Sequence, residues 1–170
     1  MARMAGYPTV TTSTFKDIFS YFGLQLPSED QICSVTGERT IWYCNTGVVV
    51  FSASALREFF PSWRQSTIEL LDNTELMCGV GVMGEQASFT IAHIRNPVPF
   101  TFLPLELNCP VPTGENVVDE VNHCDPTIIH YHSRHDPSGL IVPNKNIQAK
   151  RRIEEFNRRA AQERLPFVNQ

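Results

Sequence analysis

A polar step that runs straight into an unbroken apolar run, Tyr43-Cys44-Asn45-Thr46-Gly47-Val48-Val49-Val50-Phe51, limits what this chain can fold into more than any other stretch. Val48 to Phe51 are β-branched or aromatic and do not alternate with polar residues. That pattern predicts a strand buried on both faces, inside a strand region over 41–51 that the Asn45-Thr46-Gly47 step interrupts.

The flanks read as helices. Phe15, Ile18, Phe19 and Phe22 recur at helical spacing, and Thr14 is placed to cap a short helix ending near Leu24. Ser52 or Ser54 opens a second helix to about Leu71, with Leu56, Phe59, Phe60, Trp63, Ile68 and Leu71 as its apolar stripe. Pro61 lacks an N–H and is expected to kink or split that helix. Residues 73–84 are glycine-rich and read as a connection. Residues 85–94 read as a helix that turns Phe89 and Ile94 inward and that Pro97 and Pro99 end. Strand candidates follow at 100–105 and 127–132, separated by a polar, proline-bearing loop over 110–126. A loop over 133–144 leads to a last helix, 147–165, where Ile153, Phe156 and Ala160 make a thin apolar stripe. This succession of helices and strands is an α/β or α+β order. No strand, Gly-rich turn and helix stand at the front, so no phosphate cradle of the G-x-G-x-x-G or Walker type is expected.

At 170 residues the chain is long enough for one domain with a real core. A net charge of -4 does not suit a nucleic-acid binder. About half of the 14 Lys and Arg side chains fall within 145–164, which leaves the remainder distinctly acidic. A solvated helix face is the simplest account of the basic end, and contact with anionic lipid or phosphate is the alternative. The five cysteines are scattered and never form a Cys-x-x-Cys pair. That argues against a disulfide framework or structural zinc and for a reducing, cytoplasmic setting. No apolar run approaches the roughly 18 residues that span a bilayer, and the N-terminus lacks the apolar core of a signal peptide.

Several side chains carry candidate chemistry. Residues two apart in a strand share a face, so His130 and His132 can converge, with His135 in the next loop. Neutral imidazoles are the commonest metal ligands, yet an isolated His-x-His is also what a half-buried strand end beside a loop contains. Asp119, Glu120, Asp125 and Asp136 lie nearby in sequence and suit a hard cation such as manganese or magnesium. Asp125-Pro126 and Asp136-Pro137 equally read as turns, and Asp119-Glu120 as a solvated pair. The amides of Asn45 and Gln86 both donate and accept, which suits sugar hydroxyls. Their plainer roles are a turn before Gly47 and a first-turn helix residue; for Asn108 it is strand termination. No Ser-His-Asp or Cys-His order stands out, and nothing marks a cysteine as activated.

Taken in order, these segments resemble the nucleotide-diphospho-sugar transferases of the GT-A fold, and more narrowly the family-8-type glycosyltransferases. Tyr43-Cys44-Asn45-Thr46-Gly47-Val48 matches their aromatic-Asn-Thr-Gly-Val segment, and Phe59-Phe60 with Trp63 match the aromatics of the helix after it. Glu85-Gln86 matches an acidic-Gln pair, Leu103-Pro104 to Asn108 a Leu-Pro segment leading to Asn, and Ile128-Ile129-His130-Tyr131 a strand ending in His. The resemblance covers about 41–135. It implies an α/β fold: a partial GT-A-like mixed sheet flanked by helices, with the nucleotide-binding N-terminal half missing. It also implies transfer of a sugar from a nucleoside-diphosphate donor to an acceptor. Asn45, Thr46, Gly47, Glu85, Gln86, Asn108 and Arg134 would contact the donor, and His130 with His132 would hold manganese or magnesium.

The chain departs from that pattern in two places. Ser133 to Gly139 replaces the family's Gly and Lys-Pro-Trp tail, and no Asp-x-Asp occurs. About 40 residues precede the Asn-Thr-Gly step, too few for several crossover units of roughly 30 residues each. The expected organisation is an N-terminal helix and connection over 1–40, a transferase-like core over 41–144, and a basic helix over 145–170. A fragment, a misassigned start or a non-catalytic relative would each produce it. The alternative function is a binding or interaction module, a homo-oligomer or one covered at an exposed sheet edge by a partner chain. A small metal-dependent enzyme centred on His130, His132 and His135 is a third.

Overall fold

The structure is a computed structural model that describes residues 1–7, 9–111, 117–131, 135–143 and 146–163. It is mixed α/β. Among the described residues there are six α-helices and three two-stranded sheets. The chain divides into two compact units, Met1–Leu103 and Pro104–Gln170.

In the first unit, β1 (Ala2–Met4) pairs antiparallel with β4 (Cys44–Val49), and a register shift falls between Ala2 and Arg3. Helix α1 (Thr12–Tyr21) is capped by Thr11, whose hydroxyl accepts from the Thr14 N–H at 3.2 Å. The cap thus lies three residues before the Thr14 expected from sequence, because Thr11 is the residue still in extended backbone. Gly23 ends the helix at φ 63°, and Leu24 N–H returns to the Phe19 carbonyl. A small hairpin of β2 (Gln31–Ile32) and β3 (Arg39–Thr40) follows.

Ser52 caps α2 (Ala53–Leu71), which continues through Pro61 without splitting. Near that proline the Asn96 amide donates to the Glu58 carbonyl at 3.0 Å, a tie to the far end of α4. Residues 73–83, expected as a connection, fold into α3 (Thr74–Val80) and a 3-10 turn, Gly81–Met83. Asn73 supplies the cap for α3 through a bond from Leu76 N–H. Glycine at 79 has a packing reason, since a Cβ there would stand 2.8 Å from the Thr14 methyl.

Helix α4 (Gly84–Arg95) is the centre of this unit, with Gln86 to Ala92 buried in succession. Its polar members are satisfied locally: the Ser88 hydroxyl donates to Glu85 O and the Thr90 hydroxyl to Gln86 O. Tyr43 enters the core formed by Phe15, Ile18, Phe19 and Ile91, while Cys44 enters the one formed by Phe59, Phe89 and Ala92. Adjacent residues of an extended chain point to opposite faces, so this short stretch seals two cores. Val48 and Val49 are only half-buried and Val50 is exposed. The expected two-sided burial fails there because β1 is the one strand paired with β4 among the described residues. The strand expected over 100–105 shrinks to a bridge between Phe102 and Ala2, since Pro104 leads into a 3-10 turn, Leu105–Leu107.

In the second unit, β5 (Cys109–Pro110) pairs parallel with β6 (Ile129–His130). Pro110 cannot donate to a ladder, which keeps this sheet short of the expected 127–132. A short helix, α5 (Asp119–His123), lies inside the expected loop. Buried Asn146 caps α6 (Ile147–Glu163) by accepting from Gln148 and Ala149 N–H, and donates to the carbonyls of Val121 and Cys124 at the end of α5. Ala149, Ile153 and Ala160 form the buried stripe of α6, whereas Phe156 is exposed. No described helix is long and apolar enough to cross a membrane, and no disulfide forms among the described residues.

Phe89 is fully buried, with ring centroids of Trp63 at 4.9 Å, Phe59 at 5.0 Å and Trp42 at 6.0 Å. Phe89→Ala should lower unfolding free energy by about 3–5 kcal/mol in chemical denaturation, the cost of lost burial plus a cavity. His93 stacks on Trp42 at 4.1 Å, its Nδ1 is buried without a partner, and burial holds its pKa below the ordinary value. The unfolded chain therefore takes up a proton at a pH where folded His93 does not. Stability from this group should be complete above about pH 6.5 and decline as pH falls toward the folded pKa. Measuring unfolding free energy against pH checks it: in His93→Phe that part of the acid decline should vanish.

Candidate functional site

The site begins where the polar step of β4 meets the first turn of α4. Asn45 is 9 % exposed, and its side-chain oxygen accepts from Gly47 N–H at 2.9 Å, a local turn bond. Thr46 donates its hydroxyl to the Glu85 carboxylate at 3.3 Å, which joins residues 39 apart in sequence. Gly47 is exposed beside them. Thr46 and Glu85 are thus brought together, with Asn45 and Gly47 on either side of Thr46 in β4.

Glu85 is held from behind. The Trp63 indole N–H donates to Glu85 O and to the Ser88 hydroxyl, each at 3.2 Å, and the Thr67 hydroxyl lies 2.8 Å from that of Ser88. The main chain of the α4 first turn is therefore pinned by α2, while the Glu85 side chain projects outward. An acidic residue there is also favoured by the positive end of the helix. Gln86 is 8 % exposed, and its amide N–H₂ lies 3.3 Å from the Met83 sulfur. A thioether is a weak acceptor, so a ligand oxygen would compete well for that amide.

Tyr43 belongs to the same corner. Its hydroxyl is buried without a hydrogen-bond partner of good geometry. Burial pushes its pKa well up, Thr9 opposes that, and the Glu85 carboxylate adds to it. Sequence reading passed over Tyr43, Thr67 and Ser88 as site residues. The available signal was Trp63, whose N–H needs a partner once its ring is packed.

In the second unit Asn108 is 2 % exposed and directly precedes β5. His130 is half-buried in β6, with Pro110 opposite it and Val111 N–H on its carbonyl. Asn108 and His130 therefore flank one small parallel sheet. His132 and Arg134 lie outside the described residues. Of the nearby acids, Asp125 pairs with Arg152 at 2.7 Å, and Asp136 binds the backbone of its own loop. Among the described residues no group of three or more His, Cys, Asp and Glu side chains could hold a metal ion. Of the expected pair His130 and His132, only His130 lies among the described residues.

No family model matches the chain, and neither any curated protein nor any solved structure is significantly similar to it.

A buried hydroxyl whose neighbour, Thr9, is poorly aligned gains little from it and costs free energy that its removal returns. Tyr43→Phe should leave stability unchanged or raise it by up to about 1 kcal/mol, read from denaturant unfolding. A loss of more than that amount would mean the hydroxyl bonds to an ordered water or ligand.

Proposed function

We propose that this chain is a glycosyltransferase-derived domain whose first unit holds the sugar of a nucleoside-diphosphate donor. The observation that carries the proposal is the bond between Thr46 and Glu85, which sets the Asn-Thr-Gly step of β4 against the Glu-Gln start of α4. A hydroxyl and a carboxylate in contact, with an amide next to each in the chain, offer donors and acceptors of the kinds that a polyhydroxylated ring requires. Asn45 and Gln86 would bind sugar hydroxyls, and the exposed Glu85 carboxylate would accept from another. Thr46 would orient Glu85. Asn108, His130 and Arg134 belong to the second unit and are given no role at this corner. Manganese or magnesium enters through the resemblance and is an arm of the test below.

The second reading is a binding module of the same ancestry without transferase activity. One observation favours it: β4 has only β1 beside it among the described residues, and Val50, Leu56, Phe60 and Leu71 stand exposed in the same unit. Such an edge and such side chains suit a covering partner.

Thermal unfolding with UDP- and GDP-sugars, with and without manganese, separates these readings. A ligand of the folded state at about 100 times its Kd contributes about 2.7 kcal/mol, which should raise the Tm by about 5–10 °C. Asn45→Ala combined with Gln86→Ala should abolish the rise. No rise with any nucleotide sugar, with or without metal, would end the transferase reading of this polypeptide and leave the binding module.

A further inference from the structure

The second unit contains a cavity of about 490 Å3 that the proposed donor site does not use. Tyr131, His135, Asp136, Ile141 and Phe156 line it. Tyr131, Ile141 and Phe156 also line a second hollow of about 700 Å3 along α6, together with Arg152, Glu155 and Arg159. The walls come from different parts of the chain and are tied to one another by hydrogen bonds. Ile141 is clamped to α6 in both directions: Asn157 donates to its carbonyl at 2.8 Å and accepts from its N–H at 3.0 Å.

Asp136 is the anchor of the intervening loop. Its Oδ1 accepts from Ser138 N–H at 2.8 Å, Ser138 hydroxyl at 2.6 Å and Leu140 N–H at 3.1 Å. Gly139 allows the turn at φ 84°. All three bonds fall on one oxygen, so Oδ2 is left as an acceptor on a carboxylate that cannot swing away. His135 Nδ1 lies 3.2 Å from the Asp136 carbonyl. With the proton on Nδ1 donated there, Nε2 is a second acceptor. Tyr131 and Phe156 are each 40 % exposed, an unusual cost for two aromatic rings at one cavity.

The described lining thus combines fixed acceptors with aromatic surface and contains no Lys or Arg. A ligand that fits must bring hydrogen-bond donors on its edge and an apolar face. An anion meets the fixed Asp136 charge, and Arg152 of the adjoining hollow is already paired with Asp125. A neutral sugar ring has both features: hydroxyls around its rim and a face of C–H bonds that packs on aromatic rings. We propose that this cavity is a carbohydrate-binding subsite, with the ring against Tyr131 and Phe156 and a hydroxyl donated to Asp136.

Calorimetric titration of the full chain with methyl glucoside, methyl galactoside and maltose tests the subsite. At least one should bind saturably. Tyr131→Ala should weaken it about tenfold. Asp136→Asn retains one oxygen for the loop but substitutes a donor for the second acceptor, and should weaken binding comparably with the fold intact by circular dichroism. Asn45→Ala with Gln86→Ala should leave this binding unchanged, so the subsite and the donor site can fail separately. Absence of saturable binding by all three sugars would overturn the proposal. So would sugar binding indifferent to Tyr131 and Asp136, or Asp136-dependent binding of tetramethylammonium in their place, which would make the cavity an organic-cation site.

Discussion

Helix α4 lies buried along most of its length, and the rest of the first unit is arranged to make that possible. Phe89 supplies most of the apolar surface. It sits among Trp42, Phe59 and Trp63, which come from the approach to β4 and from α2. Around it the helix uses small or hydroxyl-bearing residues, Ala87, Ser88, Thr90 and Ala92, so neighbouring elements can approach closely. Each hydroxyl returns to a carbonyl of the same helix, so the burial leaves neither one unpaired. At the far end Arg95 reaches Ser66 and Glu69 of α2 and stacks over Phe22.

That burial explains why polar function gathers at the helix start. Trp63 holds the main chain of the first turn from one side, and Thr46 meets Glu85 from another. The turn is rigid because α2 fixes it, while the Glu85 carboxylate remains in solvent. A side chain held at its root and open at its tip is what a binding group needs, since little ordering remains to be done when a ligand arrives.

The second unit is held by a different kind of interaction. Its last helix has a narrow apolar stripe, and much of its order comes from amide and carboxylate clamps at Asn146, Asn157 and Asp136. Each of these side chains bonds backbone groups that no sheet or helix would otherwise satisfy. Segments pinned at points by polar groups do not collapse onto one another as an apolar core does. Hollows lined by exposed aromatics, such as the one beside Phe156, are the natural result.

Much of the local structure was legible in the chain itself. The start of α2 followed from a capping serine, and the extent of α2 and α4 from 3.6-residue periodicity and the prolines beyond α4, signals that act over a few positions. Asn73 could have signalled α3, but the surrounding glycines obscured it. The outer strand Ala2–Met4 carried no pattern of its own, and its pairing with β4 is a long-range choice. The joining of Thr46 to Glu85 and of Asn157 to Ile141, and the burial of Tyr43 without a partner, were decided by tertiary structure alone. Residue type and spacing determine which helices and turns a segment prefers. Which side chains then face each other depends on how whole elements bury their apolar faces, and no local pattern encodes that.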